Sequence, residues 1–222
     1  MHDRATHRAV VTLTLGLTLL APSLLRAQRS SFGLLGGVNS SKAYTELNGE
    51  DQDTERRTGW AAGGYAEFGV GKRVSIRPEI LVTEQGGEES EAGETFRVNL
   101  RYLQIPVLAR VDLGGRESMR PFLLIGPALS LRIGCEVELR GSFLTATADC
   151  DALPDDEPDP FTKNNVSGII GGGVDFGRWA LGVRYDHGFS NIASKAVRED
   201  GDSAKLRTLS LLASIRLGGS SR

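Results

Sequence analysis

Asp186, His187 and Ser190 have the types and spacing that could do chemistry: an acid, a base and a hydroxyl within five positions. A nucleophile needs its base within hydrogen-bond reach and a third group that orients the base. On an extended chain, neighbouring side chains point to opposite faces, so Asp186 and His187 cannot share one site. They read as an interior Asp and a rim His, and no catalytic residue is expected. The run Asp149, Asp151, Asp155, Asp156, Glu157 and Asp159 offers the oxygen ligands calcium prefers, but without the EF-hand spacing. Gly171-Gly172-Gly173 leads into no helix, so it is not a phosphate loop and reads as close packing within a strand. Cys135 and Cys150, with no His beside them, are an incomplete zinc set. In an exported chain, the fourteen residues between them make a loop that a disulfide can close. No metal and no cofactor are expected.

The remaining chemistry lies in Glu67, Arg77, Glu79, Arg110, Asp175, Arg184 and Asp186, charged residues set singly among apolar ones. Their spacing is that of strands with two unlike faces. From Leu103 to Val111 every second residue is apolar: Leu103, Ile105, Val107, Ala109 and Val111. Between them stand Gln104, Pro106, Leu108 and Arg110. Seven further stretches repeat the rule, and together they predict strands at 31–40, 59–70, 74–85, 95–113, 121–133, 165–176, 179–189 and 208–217. One phase break stands out. Phe96, Val98 and Leu100 are apolar on the parity opposite to Leu103 and Ile105, which implies either a bulge near Arg101 or a strand that projects beyond lipid. Projection is the better account, since Arg97, Asn99 and Arg101 then face water.

Long connections follow the first, third, fifth and seventh strands, notably 41–58, 86–93, 140–163 and 190–204; short ones follow the others. That asymmetry belongs to up-and-down barrels of the outer membrane, with short periplasmic turns and long external loops. An even number of strands closes the sheet, so no main-chain edge is stranded in hydrocarbon. The charge pattern agrees. The apolar parity carries no Asp, Glu, Lys or Arg in the spanning windows, whereas the charges above and Arg132 and Arg216 lie on the other parity. A basic side chain on the lipid face costs about 2–4 kcal/mol at the midplane. Trp60, Phe68, Phe176, Trp179 and Tyr185 fall near strand ends, where interfacial aromatics sit. The rival fold is a soluble lipocalin-like ligand-binding barrel, which would turn the apolar face inward.

Composition sets the compartment. Arg4 and Arg8, an uncharged apolar run from Ala9 to Leu20, and Leu25-Arg26-Ala27 make residues 1–27 a cleavable signal peptide, leaving 28–222 as one barrel domain. Removing that signal leaves 23 basic and 27 acidic side chains, net −4. An acidic surface excludes nucleic acid as a partner. The expected surroundings are outer-membrane lipid.

Four local patterns resemble the PorT-type outer-membrane β-barrel family. They are Arg77-Pro78-Glu79-Ile80-Leu81 with Gln85-Gly86, Tyr102-Leu103-Gln104-Ile105-Pro106-Val107-Leu108, Pro121-Phe122-Leu123-Leu124-Ile125-Gly126-Pro127, and Arg184-Tyr185-Asp186-His187-Gly188-Phe189-Ser190-Asn191-Ile192. The resemblance implies insertion by the barrel-assembly machinery. Such barrels usually close on an aromatic residue, whereas this chain ends Leu217-Gly218-Gly219-Ser220-Ser221-Arg222. With eight strands the interior is just wide enough for its own side chains. The expected role is therefore structural or loop-mediated, with an external ligand met at 41–58 and 140–163. A minor pore or a secretion-system accessory is the alternative.

Overall fold

The computed structural model describes residues 30–47, 50–53, 56–91, 94–114, 119–141, 145–150, 162–192 and 203–219. Residues 1–27, the expected signal peptide, lie outside them. Among the described residues there are ten strands: β1 (Ser30–Leu47), β2 (Glu50–Asp53), β3 (Arg57–Gly69), β4 (Val74–Glu91), β5 (Glu94–Asp112), β6 (Arg120–Arg140), β7 (Thr145–Asp149), β8 (Asn164–Phe176), β9 (Trp179–Gly188) and β10 (Ser203–Gly219). Eight of them form one antiparallel ring, β1-β3-β4-β5-β6-β8-β9-β10, closed by pairing of β10 with β1. The short β2 and β7 add to β1 and β6 at the end of the long connections.

Alternation decides which side chains meet lipid. Ile80, Ile125 and Val183 point outward and are 61%, 58% and 48% exposed, whereas Arg77, Glu79 and Arg110 point inward and are 2% exposed each. This orientation corrects the lipocalin-like alternative, which needs the apolar face inside. The outer face suits hydrocarbon, and the main chain of the closed ring keeps its N–H and C=O groups paired there.

The long connections are less irregular than their sequence suggests. β1 runs on to Leu47 and β3 begins at Arg57, so much of 41–58 is strand. Residues 86–91 continue β4, which pairs with β5 as far as Glu91 and Glu94. Part of 140–163 forms β7. The physical reason is simple. Above the bilayer the outward face meets water instead of lipid, so the outward apolar alternation ends while the hydrogen-bonded ladder continues. A membrane crossing needs about 9–11 residues, and β4, β5 and β6 have 18, 19 and 21.

β5 projects as expected, with Leu100 and Tyr102 buried inside and Arg101 exposed. The irregularity at Arg101/Tyr102 is present too, but it belongs to β6: Arg101 pairs with Gly134 and Tyr102 with Arg132, so Ile133 is the extra residue. This bulge switches the inward parity of β6 from Ser130 to Cys135.

The orientation yields a direct expectation. Val183→Arg, at mid-strand on the lipid face, should cost about 2–4 kcal/mol of unfolding free energy, measured by urea titration in vesicles. Arg101→Gln, on the same outer surface but above the bilayer, should stay within about 0.5 kcal/mol.

Candidate functional site

The lumen is packed in layers whose height follows from strand direction. The lowest is built on Arg110 of β5. Its guanidinium donates to Asp112 at 3.0 Å and to Asp175 of β8, and lies 3.8 Å from Glu67 of β3, which accepts from the Ser75 hydroxyl at 3.1 Å. The same guanidinium stacks 3.9 Å over the Phe122 ring. Phe122 in turn occupies the space that glycines of β8 and β9 leave open. A Cβ at Gly173 would stand 2.7 Å from its ring. Gly173 pairs with Phe122 on one side and Gly182 on the other, so an aromatic ring spans two glycines across three strands.

The next layer is centred on Glu79. Its carboxylate accepts two bonds from Arg184, at 2.6 and 2.8 Å, and one from Arg77 at 2.7 Å. Arg77 also stacks 3.7 Å over Tyr65. One buried carboxylate thus serves two arginines, and charge-assisted bonds of this kind are the strong ones. Above it, the Gln104 amide donates to Asp186 at 2.7 Å and to Ser130 at 3.3 Å. An apolar cap then closes the mouth: Leu100, Tyr102, Ile192 and Leu206 packed with Cys135 and Cys150, whose sulfurs are bonded 2.02 Å apart. A lumen cavity bordered by Arg77, Phe122 and Arg184 has a volume of about 10 Å³, room for about one water molecule.

Of the seven charged residues singled out from sequence, six fall into the two lower layers. Asp186 does not join them; it is held by Gln104 in a layer of its own. Tyr65, Ser75, Gln104, Asp112 and Phe122 complete the network and were not singled out, although each lies on the inward parity that would have found them. The would-be hydrolase trio is dispersed. Asp186 points inward, His187 lies on the outer face between Tyr185 and Phe189 at ring distances of 6.2 and 5.4 Å, and the Ser190 hydroxyl accepts the Val166 N–H at 3.0 Å. Of the acidic run, only Asp149 lies among the described residues.

The projecting rim has its own electrostatics. Arg97 sits between Glu88 at 3.0 Å and Glu138 at 3.3 Å, and Arg140 donates to Glu138 at 2.7 Å. Arg57 bonds Glu84 at 2.9 Å and the Val98 carbonyl at 3.1 Å. The Arg140 hydrogen bond, seconded by Arg97, holds the Glu138 carboxyl below its ordinary range. A polar hollow of about 310 Å³ opens between Glu84, Asn99, Arg101, Gly134, Glu136 and Asp149.

An eight-stranded ring with an apolar outside, a charge-paired inside and long strands at one end defines an outer-membrane-type barrel. Residues 23–194 match the model of the outer membrane protein beta-barrel domain, and the chain belongs to that family. It is a protein of the bacterial outer membrane. Among solved structures it is similar to Ail, the attachment invasion locus protein of Yersinia pestis, with 15% identity over 85% of this chain and 99% of that one (TM-score 0.42). Neisserial surface protein A shows 15% identity over 84% and 97% of the two chains (TM-score 0.45). The outer membrane enzyme PagL shows 14% over 80% and 97% (TM-score 0.41). No curated protein matches the chain.

Removing one partner from a buried ion pair typically costs about 3–5 kcal/mol. Glu79→Gln, which leaves Arg77 and Arg184 facing each other, should destabilise by that order in the same urea titration. A second expectation concerns acid. The depressed Glu138 carboxyl contributes stability above its unfolded pKa, and the contribution is lost as pH falls through the folded value. Rim amides should therefore lose hydrogen-exchange protection on acidification, and Glu138→Gln should flatten that loss.

Proposed function

We propose that this protein is a closed, non-conducting barrel that fixes its projecting hairpins outside the cell for contact with an external ligand or partner, and that it catalyses no reaction. The observation that carries this reading is the packing of the lumen among the described residues: paired charges at two heights, an apolar cap, and a cavity of about 10 Å³ beside Arg77 and Arg184. A pore or secretion accessory would need a water path through those layers. The separation of Asp186, His187 and Ser190 supports the absence of hydrolase chemistry.

Export by residues 1–27 and insertion by the barrel-assembly machinery fit this role. The order of the four sequence motifs supports placing the chain with the PorT-type members. The reading is tested by single-channel recording on the purified, folded protein in planar bilayers. No steady openings are expected; sustained conductance of porin size would sink it.

A further inference from the structure

The ladder register aligns outward side chains into rows across neighbouring strands. On the flank made by β8, β9, β10 and β1, two successive rows are apolar and exposed. One holds Val183, Leu211 and Val38; the next toward the projecting end holds Ile170, Tyr185 and Leu209 and finishes at Ser40.

The row above them changes character in one step. It is Gly168, His187, Arg207 and Lys42, in register across the same four strands. His187 stands two residues above Tyr185, and Arg207 two above Leu209, which is about 7 Å along a strand. That puts the cations at the border between hydrocarbon and headgroups, where basic side chains attract anionic lipid.

These cations are gathered rather than spread. Lys42 and Arg207 are direct cross-strand partners, and like charges so placed repel. Both lie over one ring: the Arg207 guanidinium is 3.8 Å and the Lys42 ammonium 4.9 Å from the centre of Tyr44. The ring face offsets part of the repulsion. A stacked guanidinium still directs its N–H groups outward in its own plane, where an oxyanion can accept them. Lys205, exposed opposite Tyr44, adds a further positive charge one row higher, and Asp53 of β2 is the other partner of Tyr44 there. The flank of β4, β5 and β6 is built otherwise. On that side Arg97 lies between Glu88 and Glu138, and Arg140 also reaches Glu138, so charges of both signs meet within the rim.

We infer that Arg207 and Lys42, with His187 beside them, form a site for the phosphate of a lipid headgroup in the leaflet around the projecting end of the barrel. The phosphate accepts charge-assisted bonds from Arg207 and Lys42 and relieves their repulsion. Its acyl chains run down over Leu209, Tyr185 and Ile170. A soluble anion meets the same cations but gains nothing from the apolar rows, so the pairing of the two selects a lipid. This site goes beyond the external contact proposed above, because it faces sideways into the membrane.

The test uses the folded full chain in neutral detergent micelles with equimolar phosphatidic acid and phosphatidylcholine of the same acyl chains. Retained lipid is read by native mass spectrometry. Phosphatidic acid should be retained over phosphatidylcholine by about tenfold or more. Lys42→Gln with Arg207→Gln should abolish that preference, whereas Arg207→Lys, which keeps the charge, should stay within about threefold of the native chain. The control is Lys72→Gln with Arg73→Gln, which removes two exposed charges from the short turn between β3 and β4 at the opposite end and should leave the preference unchanged. Heat-modifiability on a gel reports that each variant has closed its ring. If the double variant does not close, Lys42→Gln and Arg207→Gln are read singly, each expected to lose about threefold or more. Equal retention of the two lipids, a preference that survives loss of Lys42 and Arg207, or an equal loss in the turn variant would overturn the inference. So would displacement of the lipid by millimolar inorganic phosphate, which would mark a site for soluble anions instead.

Discussion

Charge matched inside a narrow ring is the interaction on which everything else in this molecule depends. An eight-stranded barrel has room only for its own side chains, so each inward charge needs a partner within reach or remains buried and unpaired at high cost. Glu79 answers Arg77 and Arg184 together, and Arg110 answers Glu67, Asp112 and Asp175. These contacts join β3, β4, β5, β8 and β9 across the interior, which main-chain pairing between neighbours does not do. The glycines are part of the same device. A Cβ at Gly171 would press 2.9 Å from the Arg184 stem, and one at Gly173 would displace Phe122 from beneath Arg110. Small residues in β8 thus create the space that Phe122 fills from β6 and Arg184 from β9.

The bilayer then divides each strand into two regimes. Within hydrocarbon, one face must be apolar and the main chain must be satisfied. Above it neither demand holds, and the strands go on under different rules. Inward positions turn apolar in the Leu100 and Tyr102 cap, and outward ones turn charged at Arg97, Glu136 and Glu138. The β6 bulge at Ile133 lies at this change of regime. It brings Cys135 to the inside, where Cys150 joins it and ties the end of β7 to the barrel mouth.

The faces of the spanning strands were legible in the sequence, because lipid imposes a period of two that nothing else in the chain imitates. That parity placed Glu67, Arg77, Glu79, Arg110, Asp175 and Arg184 inside together. It could not say at what height each sits. Height depends on stagger between strands, so Asp186, two residues above Arg184 on β9, meets Gln104 rather than the arginines. β2 and β7 were not legible either. At four and five residues, and without a large apolar side chain, Glu50–Asp53 and Thr145–Asp149 are too short and too weakly apolar to read as strands, and only their pairing with β1 and β6 makes them strands. Phe122 was read as one more apolar residue of its strand; its role emerges only once Gly173 and Gly182 stand beside it.

A filled interior also directs where recognition can occur. Among the described residues, the polar groups of the lower layers spend their bonds on one another. The rim differs in kind. Its strands are extensions of the ring, cross-linked by Arg97 between Glu88 and Glu138 and by Arg57 between Glu84 and the β5 main chain. Ordering a loop on binding would cost about 1–2 kcal/mol of backbone entropy per residue. On the reading proposed above, a rim that is already sheet would avoid most of that cost. The lumen network and the rim are therefore mechanically one unit: the buried charges tie the strands of the ring together, and the same strands carry that order upward into the rim.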